Sequence, residues 1–182
     1  CTVTENGDSD ARRLVNKAVK LNQDTRIALV GCMAQIQKDK LLQWPNVNWV
    51  IGNAQKAQLA SIIRDDESEQ VVIAPKMDKT PFIIEGSSKD KKHTRANLKI
   101  QDGCDFMCSF CVIPFARGRA RSRDWCDLFE EAEQMVQKGV REIVLTGVNL
   151  GTYISDGKNF LDLVESLGAL DGLDRLRISS IE

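Results

Sequence analysis

Three cysteines in the middle of the sequence have a spacing that suits a metal site. Cys104, Cys108 and Cys111 follow the pattern C-x3-C-x2-C, and cysteine thiolates are common ligands of zinc and of iron–sulfur clusters. Tetrahedral zinc needs a fourth ligand, which zinc proteins usually supply as a second C-x2-C pair or a pair of histidines. Neither follows here, and the only histidine, His93, lies upstream of all three. The spacing favours an iron–sulfur cluster with one iron open to a ligand; a structural zinc knuckle or a chance grouping is the alternative.

Four arginines follow these cysteines within seven residues. They belong to a window, 88–123, that holds nine basic and three acidic side chains, so this window carries +6 and the rest of the chain −7. Guanidinium groups in such a run are typical of phosphate contacts, and an RNA substrate is the anion we expect beside the cysteines. A solvated charge run, or an arginine bound to a ligand carboxylate, is the alternative. The candidate RNA-binding residues are Arg117, Arg119, Arg121 and Arg123.

The composition is that of a globular domain, with 182 residues, 42% of them hydrophobic and 28% charged. No apolar run approaches the roughly 18 residues of a membrane-spanning helix, and no signal peptide opens the chain, so we expect a cytoplasmic protein with no membrane partner. A chain of this length does not need a disulfide framework, which leaves its six cysteines for metal binding or chemistry. Because it begins on Cys1 and stops just after a strand-like run, we expect a fragment of something longer.

The first half of the chain must position any site built on it, and its pattern alternates strands with helices. Short apolar runs predict strands at 26–31 and 47–51, and helical spacing predicts helices at 8–21, 34–42 and 55–63, the first capped by Asn6 or Asp8. This alternation is typical of an open parallel α/β sheet. A polar stretch then follows, with edge-ribbon segments at 71–74 and 82–85. The predicted division is a domain at 1–66, a linker at 67–95 and a second domain at 96–182.

The second half repeats the α/β rhythm as a βαβαβ unit. Strands are predicted at 98–101, 141–146 and 175–180, with helices from a Ser122 cap to 138 and at 159–170. Right-handed crossovers bring the carboxyl ends of parallel strands to one edge, where α/β proteins bind ligands. The loops expected there are the cysteine loop and two strand ends, whose candidate ligand-binding residues are Gly147, Asn149, Ser180 and Glu182. Plain strand-to-loop turns are the alternative for these four.

The pattern C-x3-C-x-aromatic-C after a short first strand, with Phe110 at the aromatic position, resembles the radical S-adenosylmethionine (SAM) superfamily. The resemblance implies a [4Fe-4S] cluster held by Cys104, Cys108 and Cys111, whose open iron binds SAM. It also implies reductive cleavage of SAM to a 5′-deoxyadenosyl radical inside a partial TIM-type barrel, of which 96–182 would be the first βα units. Phe110, Gly147, Asn149, Ser180 and Glu182 are then expected to contact SAM.

Further segments resemble the methylthiotransferases of that superfamily: Cys1-Thr-Val-Thr-Glu, Val30-Gly31-Cys32-Met-Ala-Gln, Gln101-Asp-Gly-Cys104, Pro114-Phe-Ala-Arg-Gly118 and Ser179-Ser-Ile-Glu182. The resemblance implies that Cys1 and Cys32 are two of three ligands of a second, auxiliary [4Fe-4S] cluster. The first ligand, the rest of the barrel and a C-terminal RNA-binding domain would lie outside this chain. Cys126 matches no motif, so we expect it to be a packing residue.

The function implied is that of a tRNA methylthiotransferase, which adds a methylthio group to carbon 2 of threonylcarbamoyladenosine beside the anticodon. SAM would be both methyl donor and radical source, and a flavodoxin or ferredoxin would supply electrons. The branch that acts on isopentenyladenosine is the first alternative, ahead of the branch that acts on a ribosomal protein. A non-catalytic, zinc-stabilised RNA-binding module is an alternative of another class. We expect the fragment alone to be inactive.

Overall fold

The computed structural model describes residues 4–65, 70–77, 82, 95–179 and 181. The chain divides into two compact units, the first formed by Cys1–Asp78 with Phe106–Gly118 and the second by Lys79–Asp105 with Arg119–Glu182. Part of the cysteine loop thus groups with the first unit, although the sequence placed the whole loop in the second domain. Within the described ranges, every helix is too short or too polar to cross a membrane.

The first unit contains a three-stranded parallel sheet in the order β1-β2-β3. The predicted alternation of strands and helices is therefore present, but residues 71–73, which we expected in an edge ribbon of the linker, form the third parallel strand. The elements of this unit are α1 (Glu5–Leu21), β1 (Ile27–Val30), α2 (Cys32–Gln37), β2 (Val47–Ile51), α3 (Leu59–Asp65), β3 (Val71–Ile73) and α4 (Ile113–Arg117).

Helix α1 begins earlier than its apolar spacing predicts. The hydroxyl of Thr4 accepts a hydrogen bond from the backbone N–H of Gly7 at 3.2 Å, so Thr4 is the N-cap and the prediction of Asn6 or Asp8 was wrong. The helix buries Val15 in a core that also receives side chains from β2 and from the segment between β1 and β2. That core holds the parallel strands in register. Its buried members are Val15, Met33, Ala34, Leu41, Val47 and Val50.

The second unit contains the predicted βαβαβ arrangement as a parallel sheet in the order β10-β7-β4. Two short antiparallel pairs, β5 with β6 and β8 with β9, were not predicted. The elements of this unit are β4 (Arg95–Lys99), β5 (Gln101–Asp102), β6 (Arg121–Ser122), α5 (Trp125–Gln137), β7 (Glu142–Thr146), β8 (Ile154–Ser155), β9 (Lys158–Asn159), α6 (Phe160–Gly168) and β10 (Arg175–Ile178).

For α5 the predicted N-cap was wrong, and for α6 the predicted start was within one residue of the observed one. The carboxylate of Asp124 accepts from the N–H of Asp127 at 2.9 Å and caps α5, whereas Ser122, the predicted cap, lies in β6. Helix α6 begins at Phe160, one residue after its predicted start at Asn159. Asn159 is the N-cap, and its side chain and that of Asp162 each accept a hydrogen bond from the other residue's backbone N–H in a capping box. Both helices pack on the sheet through fully buried leucines at 128, 163 and 167.

Candidate functional site

The cysteine loop follows β5 and precedes α4. Cys104 and Cys111 are half-buried, Cys108 is exposed, and all three thiols are free. The N–H of Cys111 donates to the carbonyl oxygen of Cys108 at 3.0 Å, which makes a tight turn around the last two thiols. Four apolar side chains in this part of the chain are exposed: Phe106, Met107, Phe110 and Phe115.

The donor set fits an iron–sulfur group better than a zinc ion. Three thiolates can hold an iron–sulfur cluster that keeps one iron open to a ligand, whereas tetrahedral zinc needs a fourth ligand. Among the residues described, no three His, Cys, Asp or Glu side chains already stand together in a metal-binding arrangement. The three thiols therefore supply ligands of the right chemistry, but among the described residues they do not stand together as the ligand set of any metal.

A buried glutamine joins the start of this loop to the end of β7. Gln101 is fully buried, and its Oε1 accepts from the backbone N–H groups of Val148 and Asn149 at 2.8 and 2.9 Å. Its Nε2 donates to the carbonyl oxygen of Gly103 at 2.8 Å and to that of Asp102 at 3.2 Å. In the sequence, Gln101 appears only within a motif and had no predicted role.

Two predicted ligand-binding residues lie at the end of β7, on the turn that Gln101 holds. A Cβ on Gly147 would stand 3.0 Å from the backbone oxygen of Gln101, so close packing explains why glycine occupies this position. Asn149 is 3% exposed, and among the residues that the structure describes its Oδ1 has no hydrogen-bond partner. A buried amide oxygen without a donor is costly, so Asn149 is an acceptor that a ligand could satisfy.

Cys32 opens α2 directly after β1, on the first unit. The Nδ2 of Asn53 lies 3.5 Å from its Sγ and donates at 2.8 Å to the carbonyl oxygen of Ala116 in α4. Burial alone would raise the pKa of the Cys32 thiol, but hydrogen bonds from Asn53 and Arg117, with the charge of Arg117, outweigh it and lower that pKa. The lowered pKa favours the thiolate, the form that binds metals. Asn53 was not predicted as a site residue, although it follows the predicted strand at 47–51.

The four arginines have different environments. Arg117 contacts Cys32, and Arg119 is the most exposed, with its guanidinium 3.5 Å from the Asp105 carboxylate. Arg121 is largely buried, paired with Asp102 at 3.4 Å.

Arg123 has a structural environment that argues against RNA contact. Its side chain is 1% exposed and forms ion pairs with Asp127 and Glu131 of α5. Its backbone oxygen accepts from the Tyr153 hydroxyl at 3.1 Å. The guanidinium is thus already paired inside the second unit, and the charge run at 117–123 is not one uniform basic surface.

Three predicted site residues, Cys1, Ser180 and Glu182, lie outside the described residues. Cys126 is exposed, so the prediction that it is a packing residue was wrong. It lies in the first turn of α5, where the partly buried neighbours Trp125 and Phe129 stack on each other with ring centroids 4.6 Å apart.

Comparison with known proteins assigns both parts of the chain. The model of the Radical SAM superfamily matches residues 98–182, and that of Uncharacterized protein family UPF0004 matches residues 1–52. Along its whole length, the chain is 37% identical to the threonylcarbamoyladenosine tRNA methylthiotransferase MtaB of Bacillus subtilis. The chain thus contains a Radical SAM domain and a UPF0004 domain, and it is similar to methylthiotransferases along its whole length. A Radical SAM domain implies a [4Fe-4S] cluster and SAM.

Other relatives carry two different substrate names. The MtaB protein of Thermotoga maritima is 35% identical over the whole chain, and a tRNA-2-methylthio-N(6)-dimethylallyladenosine synthase of Cereibacter sphaeroides is 36% identical over 86% of it. The chain covers 42% of the Bacillus and Thermotoga proteins and 36% of the Cereibacter protein. It therefore spans about two fifths of the length of the relatives it matches.

Proposed function

We propose that the protein containing this chain is a tRNA methylthiotransferase that places a methylthio group on carbon 2 of threonylcarbamoyladenosine, beside the anticodon. The observation that carries this proposal is the cysteine loop: three free thiols at C-x3-C-x2-C follow the first strand of a parallel sheet that matches the Radical SAM model. The substrate follows the printed names of the Bacillus and Thermotoga relatives.

Cys104, Cys108 and Cys111 would hold the [4Fe-4S] cluster. When bound, such a cluster supplies the single electron that cleaves SAM reductively. The loop contributes three thiolate ligands. Its exposed apolar side chains, of which Phe110 is the most exposed, would help to exclude water from the site when they are covered. A flavodoxin or ferredoxin is the proposed electron source. The βαβαβ sheet would be the first part of a partial TIM-type barrel.

SAM would be oriented by the ends of β7 and β10. Asn149 supports this assignment because its buried Oδ1 has no donor in the structure, and the ammonium group of SAM would provide one. Gly147 contributes by letting the turn pack closely on Gln101. Ser180 and Glu182 complete the proposed set at the third strand end.

An auxiliary [4Fe-4S] cluster is proposed at Cys1 and Cys32. Its support is the lowered pKa of the Cys32 thiol, which Asn53 and Arg117 keep in a polar, donor-rich environment. For the RNA, Arg119 is the best supported of the four arginines because its side chain is the most exposed, whereas Arg121 is largely buried beside Asp102 and Arg123 is buried.

The proposal is tested by nucleoside analysis of tRNA treated with the whole protein, SAM and a reductant under anaerobic conditions. We expect the mass of a methylthio group to appear on threonylcarbamoyladenosine and not on dimethylallyladenosine, and to be absent with a Cys104→Ala variant. Methylthiolation of dimethylallyladenosine alone would favour the function named for the Cereibacter relative. A protein loaded with its cluster that modifies neither nucleoside would overturn the proposal.

A further inference from the structure

We propose that Gln101 is a positioning residue: it locks the turn after β7 to the first residues of the cysteine loop, so that the SAM-facing backbone is formed before SAM arrives. This inference rests on the proposed SAM site. It assigns to Gln101 no contact with SAM or with the cluster.

The first support is that both the oxygen and the nitrogen of the Gln101 amide have all their hydrogen bonds satisfied. A primary amide has two acceptor sites on oxygen and two N–H donors, and Gln101 makes two hydrogen bonds with each end. A flipped amide would place its NH2 against the N–H groups of Val148 and Asn149. The amide therefore has one satisfactory orientation, and the turn and the loop are held at fixed separation.

The second support is the packing between Gly147 and Gln101. At position 147, an added Cβ would come within 3.0 Å of the Gln101 backbone oxygen, 3.1 Å of its Cβ and 2.6 Å of Cδ2 of Leu150. The turn thus lies directly on Gln101 without room for a methyl group. Hydrogen bonds and packing act at the same place, which fixes the backbone on the N-terminal side of Asn149.

The third support is Asn149, the side chain whose position Gln101 would help to fix. Asn149 is buried with Oδ1 unpaired, and its own N–H is one of the two that Gln101 accepts. An unpaired buried acceptor persists only where the surrounding structure prevents it from rotating toward another donor or water. Holding this oxygen in place lowers the ordering cost of ligand binding, which is the physical basis of preorganisation.

Two substitutions test these hydrogen bonds separately. Methionine fills a similar volume but removes the acceptor that faces the N–H groups of Val148 and Asn149 and the donors that face the carbonyl oxygens of Asp102 and Gly103. Glutamate keeps the two acceptor contacts, yet in its ionised form it would face the carbonyl oxygens of Asp102 and Gly103 with no proton to donate. The two substitutions thus separate the link to the turn from the link to the loop.

The test measures amide exchange and SAM binding separately in Gln101→Met and Gln101→Glu, with Gln137→Met on the exposed end of α5 as the matched control. Without SAM, hydrogen exchange at Val148 and Asn149 should accelerate at least tenfold in Gln101→Met and be largely rescued in Gln101→Glu, which retains both acceptors. The dissociation constant for SAM of the cluster-loaded whole protein should rise about tenfold in Gln101→Met, in line with loss of a buried hydrogen bond.

The outcomes separate this inference from the proposed function. If exchange at Val148 and Asn149 and the SAM dissociation constant match the Gln137→Met control, the positioning role is wrong. Unfolding at lower temperature with unchanged SAM binding would likewise assign Gln101 to stability alone. Failure of the unaltered, cluster-loaded protein to bind SAM would overturn the proposed function, while the exchange measurement would still test the lock itself.

Discussion

Replacing Arg123 with methionine should destabilise the second unit strongly. The substitution keeps a long apolar stem but removes the cation that faces Asp127 and Glu131, whose side chains are 22% and 13% exposed. Breaking a buried ion pair in this way typically costs about 3–5 kcal/mol, because the remaining charges are largely shielded from water and have lost their partner. Here two carboxylates one helical turn apart would also repel each other.

Two further variants serve as controls for Arg123→Met. Arg119→Met removes an exposed pair with Asp105 and should cost under about 1 kcal/mol. Adding Asp127→Asn and Glu131→Gln to Arg123→Met should recover much of the loss, since no buried charge is then left unpaired. Urea unfolding followed by circular dichroism measures all of these. A loss for Arg123→Met no larger than that for Arg119→Met would refute the structural reading of Arg123.

Three further perturbations follow from local contacts. Burial raises the pKa of Tyr153 to about 12, so the folded state keeps a proton that the unfolded state releases near pH 10. Stability should fall between about pH 10 and 12, and this fall should be smaller in Tyr153→Phe, as unfolding at each pH would show. Gly147→Ala should cost about 1–3 kcal/mol because its methyl group meets Gln101 backbone; an unchanged unfolding midpoint would contradict this. Asn53→Ala should raise the pKa of the Cys32 thiol, so its alkylation by iodoacetamide should begin at higher pH; an unshifted profile would exclude the hydrogen bond.

Elements with local signals were predicted well from the sequence. The start of α6, predicted at Asn159, lies within one residue of the observed start at Phe160, where Asn159 and Asp162 form a local capping box. The parallel pairing of β4, β7 and β10 followed from the alternation of strands and helices. By contrast, the cap of α5 was misplaced at Ser122, whose hydroxyl instead accepts from the N–H of Ile154 at 2.8 Å. That partner is distant in sequence, so no local pattern reveals it.

The candidate site also combines residues that were predictable from local sequence with residues that were not. The cysteine spacing is local and was visible at once, whereas Gln101 gains its role from residues 47 and 48 positions away. The four arginines of the run 117–123 could not be distinguished by residue type alone. Only the tertiary contacts distinguish the buried Arg123 from the exposed Arg119. Long-range partners, rather than residue types, determine which charges remain accessible to a substrate.

The central claim is that Cys104, Cys108 and Cys111 hold a cluster that binds SAM. Its most direct test is iron and sulfide analysis with an EPR spectrum of the anaerobically reconstituted, reduced protein, recorded with and without SAM. We expect a [4Fe-4S] signal that changes on SAM addition, and loss of that SAM-responsive signal when all three cysteines are replaced with alanine. Zinc in place of iron, or a cluster signal indifferent to SAM, would contradict the account and favour a zinc-stabilised RNA-binding module.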